Sequence, residues 1–157
     1  MTITHHFTDS KAKGEDLELS LDFHFAQWFT VAPATAQDQR RGIDRYFTAD
    51  NGFSYLVEYK SDNVAGRTNN AFIETVSVAR PGLPPIAGWA HTSQATMLIY
   101  WVTHPSCIYC IPMRQVRHHL PTWAKTYKEQ KVLNDGYLTT GLLVPLTEFE
   151  RIAIAIY

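Results

Sequence analysis

Apolar positions along the chain fall into a few short patterned runs separated by polar punctuation. From Glu15 to Phe29, Leu17, Leu21, Phe25 and Trp28 recur at helical spacing, while Leu17, Leu19, Leu21, Phe23 and Phe25 also alternate like a strand. Periodicity alone does not choose between them. The length of the run and its acidic first turn favour a helix. After a polar loop with Pro33, two short strands are expected, Ile43–Thr48 and Ser54–Tyr59. They are joined by Ala-Asp-Asn-Gly, whose Asn51-Gly52 pair signals a hairpin. A polar loop from Ser61 to Asn69 leads to Asn70–Ala79, read as a short helix that Arg80-Pro-Gly-Leu-Pro-Pro cannot continue.

Met97–Val102 is a continuous apolar, β-branched and aromatic run that suits a buried central strand. Tyr109–Met113 is its expected hairpin partner across a Thr103–Ser106 turn. Val116–Lys131 reads as one or two helices, with Pro121 starting the second. Gly141–Pro145 and Phe149–Ile156 complete the chain, with their type open. The order implies a single α/β domain over residues 1–157, a mixed central sheet flanked by helices.

Composition fits this picture. With 157 residues, 45% apolar and 18% charged, the chain can bury a core without staples. It has no run of eighteen apolar residues, so no membrane partner is expected. Two cysteines and no hydrophobic leader give a cytoplasmic expectation. His5-His6 reads as a solvated tail. The net charge of −1 at first disfavours nucleic acid. Its distribution reverses that impression. Eight of the fifteen carboxylates lie in the first fifty residues, whereas residues 75–128 contain none and carry Arg80, Arg114, Arg117, Lys125 and Lys128.

The sharpest chemistry is Gly42-Ile43-Asp44-Arg45 followed by Val57-Glu58-Tyr59-Lys60. Asp44 belongs to the first hairpin strand. Glu58 and Lys60, two apart on the second, share one face. Strand pairing can bring Asp44 beside them. Two close carboxylates repel unless a divalent cation neutralises them, and oxygen ligands select Mg²⁺ or Mn²⁺. Such an ion suits phosphodiester hydrolysis, and Lys60 can orient water and stabilise developing charge. An ordinary ion pair on a strand face is the plain alternative for Glu58 and Lys60.

Asp44 followed by Glu58-x-Lys60 across a β-hairpin, between an acidic helix and a further helix, resembles the PD-(D/E)XK nuclease superfamily. Small phage and bacterial members and Holliday-junction resolvases are the nearest in pattern. The resemblance covers about 15–113 and leaves 114–157 as a C-terminal extension. Ile43 stands where the motif name has proline, its most variable letter. The resemblance implies a restriction-endonuclease-like three-layer core. It also implies a metal held by Asp44, Glu58 and the Tyr59 carbonyl, with Lys60 as the catalytic lysine. Glu18 is the best match for an acidic group from the first helix, with Glu15 and Asp22 as rivals. Glu74, or Asn70, fits an accessory group on the helix after the motif. The implied activity is Mg²⁺-dependent endonucleolytic hydrolysis of DNA, with a homodimer possible. Arg41, Arg45, Arg67 and Asn70 are candidate DNA contacts, although Arg45 can equally pair with a neighbouring acid.

Two competing readings stand beside this one. One is a catalytically silent nucleic-acid-binding or assembly protein on the same fold. The other is a zinc protein built on Cys107-Ile-Tyr-Cys110 with His104, His118 and His119. In an extended strand the two cysteines point to opposite faces, which favours ordinary half-buried thiols. Trp123, Lys125, Tyr127, Lys128 and Lys131 interleave aromatics and cations. That pattern fits either base stacking or a buried face opposite a solvated one.

Overall fold

A computed structural model describes residues 7–157; His5 and His6 lie outside that range. The first element is a helix, α1 (Phe7–Phe25). Leu21 and Phe25, one helical turn apart, are buried, whereas Leu19 and Phe23 stand 62% and 86% exposed, so the apparent alternation has no structural counterpart. The chain continues through β1 (Thr30–Pro33), α2 (Ala36–Gln39), β2 (Arg45–Thr48) and β3 (Ser54–Asp62). β2 and β3 form the expected hairpin. Gly52 sits at φ +81° in its turn, and Asn51 Oδ1 accepts the Phe53 N–H at 3.0 Å. Next come α3 (Ala65–Thr68), β4 (Asn70–Ala79), β5 (Ile86–Ala87) and α4 (Trp89–Thr92). The remainder is β6 (Met97–Thr103), β7 (Ser106–Pro112), α5 (Met113–Thr126), β8 (Glu129–Asn134), β9 (Tyr137–Pro145), α6 (Leu146–Ile152) and β10 (Ala155–Ile156).

Two expectations need correcting. Asn70–Ala79 is a ten-residue strand, not a helix. Ala71 and Ile73 are fully buried while Phe72 and Glu74, on the alternate face, are half-buried, a period of two, and β9 pairs with it from Asn70↔Pro145 to Ala79↔Leu138. The β-branched Ile73, Thr75, Val76 and Val78 suit a pleated strand better than a helix. Pro121 does not start a second helix. It lies inside α5, which runs unbroken over Val116, Leu120 and Trp123, a buried stripe at i, i+4 and i+7. That helix stops at Thr126, and Lys131 belongs to β8.

The architecture is mixed α/β. A six-stranded sheet has the order β1-β2-β3-β6-β7-β10, antiparallel except for the parallel β3–β6 pair. A four-stranded antiparallel sheet has the order β5-β4-β9-β8. Alternation along the strands divides the core in two. Phe47, Val57, Tyr59 and Ile99 meet Leu21 and Phe25 of α1 on one face. On the other face, Ile43, Leu98, Tyr100 and Ile111 meet Ile73 and Val144 of the second sheet, sealed by Trp123 of α5 and Phe149 of α6. Val57 and Tyr59 thus face α1. Glu58 and Lys60 point the other way, toward the second sheet. No described helix is long and apolar enough to cross a membrane.

Candidate active site

The site begins with the register of the hairpin. Asp44 immediately precedes β2, and its N–H donates to the Val57 carbonyl at 2.7 Å, extending the ladder by one residue. Its carboxylate Oδ2 accepts the Tyr59 N–H at 2.8 Å. This bond anchors Asp44 to the main chain of β3 midway between Glu58 and Lys60. Lys60 Nζ lies 2.8 Å from Glu58 Oε1, an i, i+2 pair on one face of the strand. Glu58 is 2% exposed, and its second oxygen, Oε2, has no hydrogen-bond partner among the described residues.

Burial pushes the Glu58 carboxyl above the usual carboxylate range, and the nearby Lys60 ammonium and Ser93 hydroxyl only partly offset that. Although its own desolvation works the other way, Glu58, Asp44 and Glu74 hold the Lys60 ammonium above the ordinary lysine value. Lys60 is therefore a protonated donor at neutral pH. Because the folded state holds the Glu58 proton more tightly than the unfolded chain does, this group favours folding fully below about pH 4.3. That contribution fades as pH rises through the raised folded value. Glu58→Gln is accordingly expected to raise the melting temperature at pH 7 relative to wild type. The gain should shrink toward pH 4 in thermal scans across that range.

The second sheet supplies the opposite wall. Glu74 of β4 is close enough to act on Lys60 electrostatically, and the Lys60 ammonium stands 5.8 Å above the centre of the Trp89 ring. Two glycines make this convergence possible. A Cβ on Gly88 would sit 2.4 Å from the Glu74 carbonyl oxygen. Gly42, at φ +75°, lets Ser93 pack against it, where Ser93 Oγ donates to the Gly42 carbonyl at 2.9 Å. Gly88→Ala is expected to destabilise the protein by about 1–3 kcal/mol, since backbone at a paired strand cannot easily yield. Equilibrium urea unfolding reads this directly.

The structure brings Asp44, Glu58, Lys60 and Glu74 together, and it holds Glu18 apart. Glu18 and Asp22 project from α1 onto the opposite face of the six-stranded sheet. There Arg45 Nη2 meets Glu18 Oε2 at 3.0 Å and Arg45 Nε meets Asp22 Oδ1 at 2.9 Å. Arg45, 8% exposed, also donates to the Asp44 carbonyl at 3.0 Å. Of its two possible roles, pairing with acids is the one realised here. Arg41 pairs with Asp38 at 3.2 Å on the surface. Arg67 lies exposed in α3 beside His104. Asn70 opens β4, with Nδ2 donating to the Thr68 carbonyl at 2.8 Å. Cys107 and Cys110 pack toward opposite faces of β7, and burial pushes the Cys110 thiol up to about 12.

Ser93 enters the site unannounced by any motif, and Trp89 only as the Gly88-Trp89 step that follows the Glu58-x-Lys60 and Phe-Ile-Glu74 segments of the family pattern. No family model, curated protein or solved structure matches the chain. The site is thus read from its own geometry. It offers hard-oxygen donors: two carboxylates, one with a buried oxygen that has no hydrogen-bond partner among the described residues. Among the described residues no group of three or more acidic, histidine or cysteine side chains is arranged so that together they could hold a metal ion. Magnesium does not require one, since it commonly binds through one or two carboxylates plus water and substrate phosphate.

Proposed function

We propose that the protein is a metal-dependent endodeoxyribonuclease with a restriction-endonuclease-like core of the PD-(D/E)XK type. The observation that carries this reading is the convergence of Asp44, Glu58 and Lys60 around a buried, unpartnered Glu58 oxygen. The succession of α1, the antiparallel β1–β2–β3 meander and the parallel strand β6 supports it. In place of a crossover helix carrying Glu74, this chain supplies β4, and Glu74 still reaches Lys60.

In this reading Asp44 and Glu58 hold Mg²⁺ or Mn²⁺, with the Tyr59 carbonyl as a third ligand. The chemistry such an ion supplies when bound is polarisation of the phosphate and a lowered pKa for its water. The protein's own groups do the rest. Asp44 is fixed by the Tyr59 N–H, so its free oxygen has a set position. Glu58 orients Lys60 through the 2.8 Å contact, leaving the other ammonium hydrogens for phosphoryl oxygens. Because Lys60 stays protonated, it acts by donating to charge that develops on the phosphate and not as a proton acceptor. Substrate DNA is cut at an internal phosphodiester, and a second protomer can supply the cut in the other strand.

A cleavage panel tests this function, with supercoiled, linear, single-stranded and branched DNA, each in Mg²⁺, Mn²⁺ and EDTA. The expected result is metal-dependent internal cuts in at least one form. Retained DNA binding with no product under any condition would replace the enzyme with a silent binding protein on the same fold.

A further inference from the structure

A cavity of about 460 Å³ opens directly off the Lys60 end of the site, bounded by β3, β4, β6, β8, β9 and the start of α4. Its apolar walls are Phe72, Trp89, Tyr100, Val132 and Leu143. Its size lies within the range of about 300–1,000 Å³ typical of pockets for a single small ligand, and it cannot take a duplex. The walls are set in place by internal bonds. Tyr100 donates its hydroxyl to Asp62 Oδ2 at 2.5 Å and accepts the Phe72 N–H at 3.1 Å. Asp62 Oδ1 accepts the Val64 and Ala65 N–H groups, each at 2.8 Å. A Cβ on Gly141 would lie 2.5 Å from the Phe72 ring, so the glycine leaves that ring its place against β9.

Charge gives the cavity a direction. Among the described residues that line it, Lys60 is the sole cation, and it sits at the end shared with Asp44 and Glu58. Asp62 and Glu74 are carboxylates, which exclude a phosphate from the interior. Asn70 and Gln130 add amide groups able to read a polar edge. An occupant with flat neutral faces, a hydrogen-bonding edge and an anion only at its Lys60 end fits this arrangement.

Resting on the nuclease reading above, we infer that the cavity receives one unpaired nucleobase adjoining the scissile phosphate. The preferred substrate is therefore DNA with an extrahelical or single-stranded nucleotide at the cut. A paired base cannot enter without leaving its stack, at a cost that an already unpaired base avoids. Stacking on Phe72, with Trp89 as a side wall, then holds it while Lys60 faces the neighbouring phosphate.

The test uses the full chain and 2-aminopurine at a single-nucleotide bulge, compared with the same base in a fully paired duplex. Binding is followed in EDTA by anisotropy and by 2-aminopurine fluorescence. The expected results are at least tenfold tighter binding of the bulged duplex and quenching of its probe. Phe72→Ala should weaken that binding roughly 5- to 150-fold, the range for one base–aromatic stack. Val132→Trp, which fills the cavity mouth from the partly exposed β8 edge, should remove the bulge preference with an unchanged melting temperature. Equal affinity for the two duplexes, or an unquenched probe, overturns the inference. A protein that cuts paired DNA in Mg²⁺ while binding both duplexes equally keeps the nuclease and loses the base pocket. One that quenches the probe yet cuts nothing keeps the pocket and loses the nuclease.

Discussion

Lys60→Ala is expected to slow DNA cleavage about 10²–10³-fold and to cost the fold about 2 kcal/mol. Both effects come from the same 2.8 Å contact with Glu58. Removing one partner of a buried ion pair leaves the other as an uncompensated charge, typically at about 3–5 kcal/mol. The Lys60 side chain is 34% exposed, so water reaches its end of the pair and the smaller figure applies. Without the ammonium, the Glu58 carboxyl moves further above the usual carboxylate range and takes up a proton more readily. The stability loss therefore narrows as pH falls and Glu58 becomes neutral in both proteins. On the catalytic side, losing one preorganised donor to developing charge costs about 10²–10³ in rate. Glu58→Gln separates the two effects, because it removes the metal ligand while relieving the buried charge. Chemical denaturation together with single-turnover cleavage distinguishes the pair. Lys60→Ala should be about 10²–10³-fold slower and less stable, and Glu58→Gln inactive and at least as stable as wild type.

Arg45→Ala carries the largest expected loss of stability, about 2–4 kcal/mol, since two acids lose their partner but Glu18 is 39% and Asp22 24% exposed, so water screens them. Desolvation acts against the buried guanidinium's charge, but Asp22 and Glu18 outweigh it and raise its pKa above the ordinary arginine value. Asp22 also accepts the Tyr59 hydroxyl at 2.9 Å, so arginine, tyrosine and two carboxylates form one network between α1 and β2–β3. Truncation at Arg45 strands Asp22 and Glu18 against the sheet and loosens the α1 docking face of Leu21 and Phe25. The loss should appear as a lower urea midpoint with an unchanged slope. Arg45→Met, of similar length and apolar, leaves the same two acids unpaired and should rescue little. If Arg45 instead served DNA alone, Arg45→Ala would weaken binding and leave the midpoint in place.

The hairpin was legible because its determinants are local. Asn51-Gly52 sets the turn, and the i, i+2 spacing sets which side Glu58 and Lys60 share. Asp44 was legible for the same reason, as the residue that pairing carries to β3. The fate of Asn70–Ala79 was hidden, because its partner β9 lies about seventy residues on and no local signal announces that pairing. Glu74 nevertheless reaches the site, since a strand placed over the same face presents it as a helix could. Glu18 followed the opposite course. Its helix formed, over Phe7–Phe25 instead of the expected Glu15–Phe29, but the choice of sheet face depends on whether Arg45 or Lys60 points toward α1. The alternation of β2 and β3 decides this through packing at Phe47, Val57 and Tyr59. Trp89 and the cavity it walls depend on a close approach at Gly88, a backbone contact with no periodic signature in the chain.

The central claim is that Asp44, Glu58 and Lys60 form a metal-dependent phosphodiesterase centre. It is tested most directly by single-turnover nicking of supercoiled plasmid by wild type and Glu58→Gln, side by side in Mg²⁺ and in EDTA. Product from wild type in Mg²⁺ only, with none from a fully folded Glu58→Gln, is the expected result. Equal nicking by the two proteins, or nicking by wild type that persists in EDTA, contradicts the account.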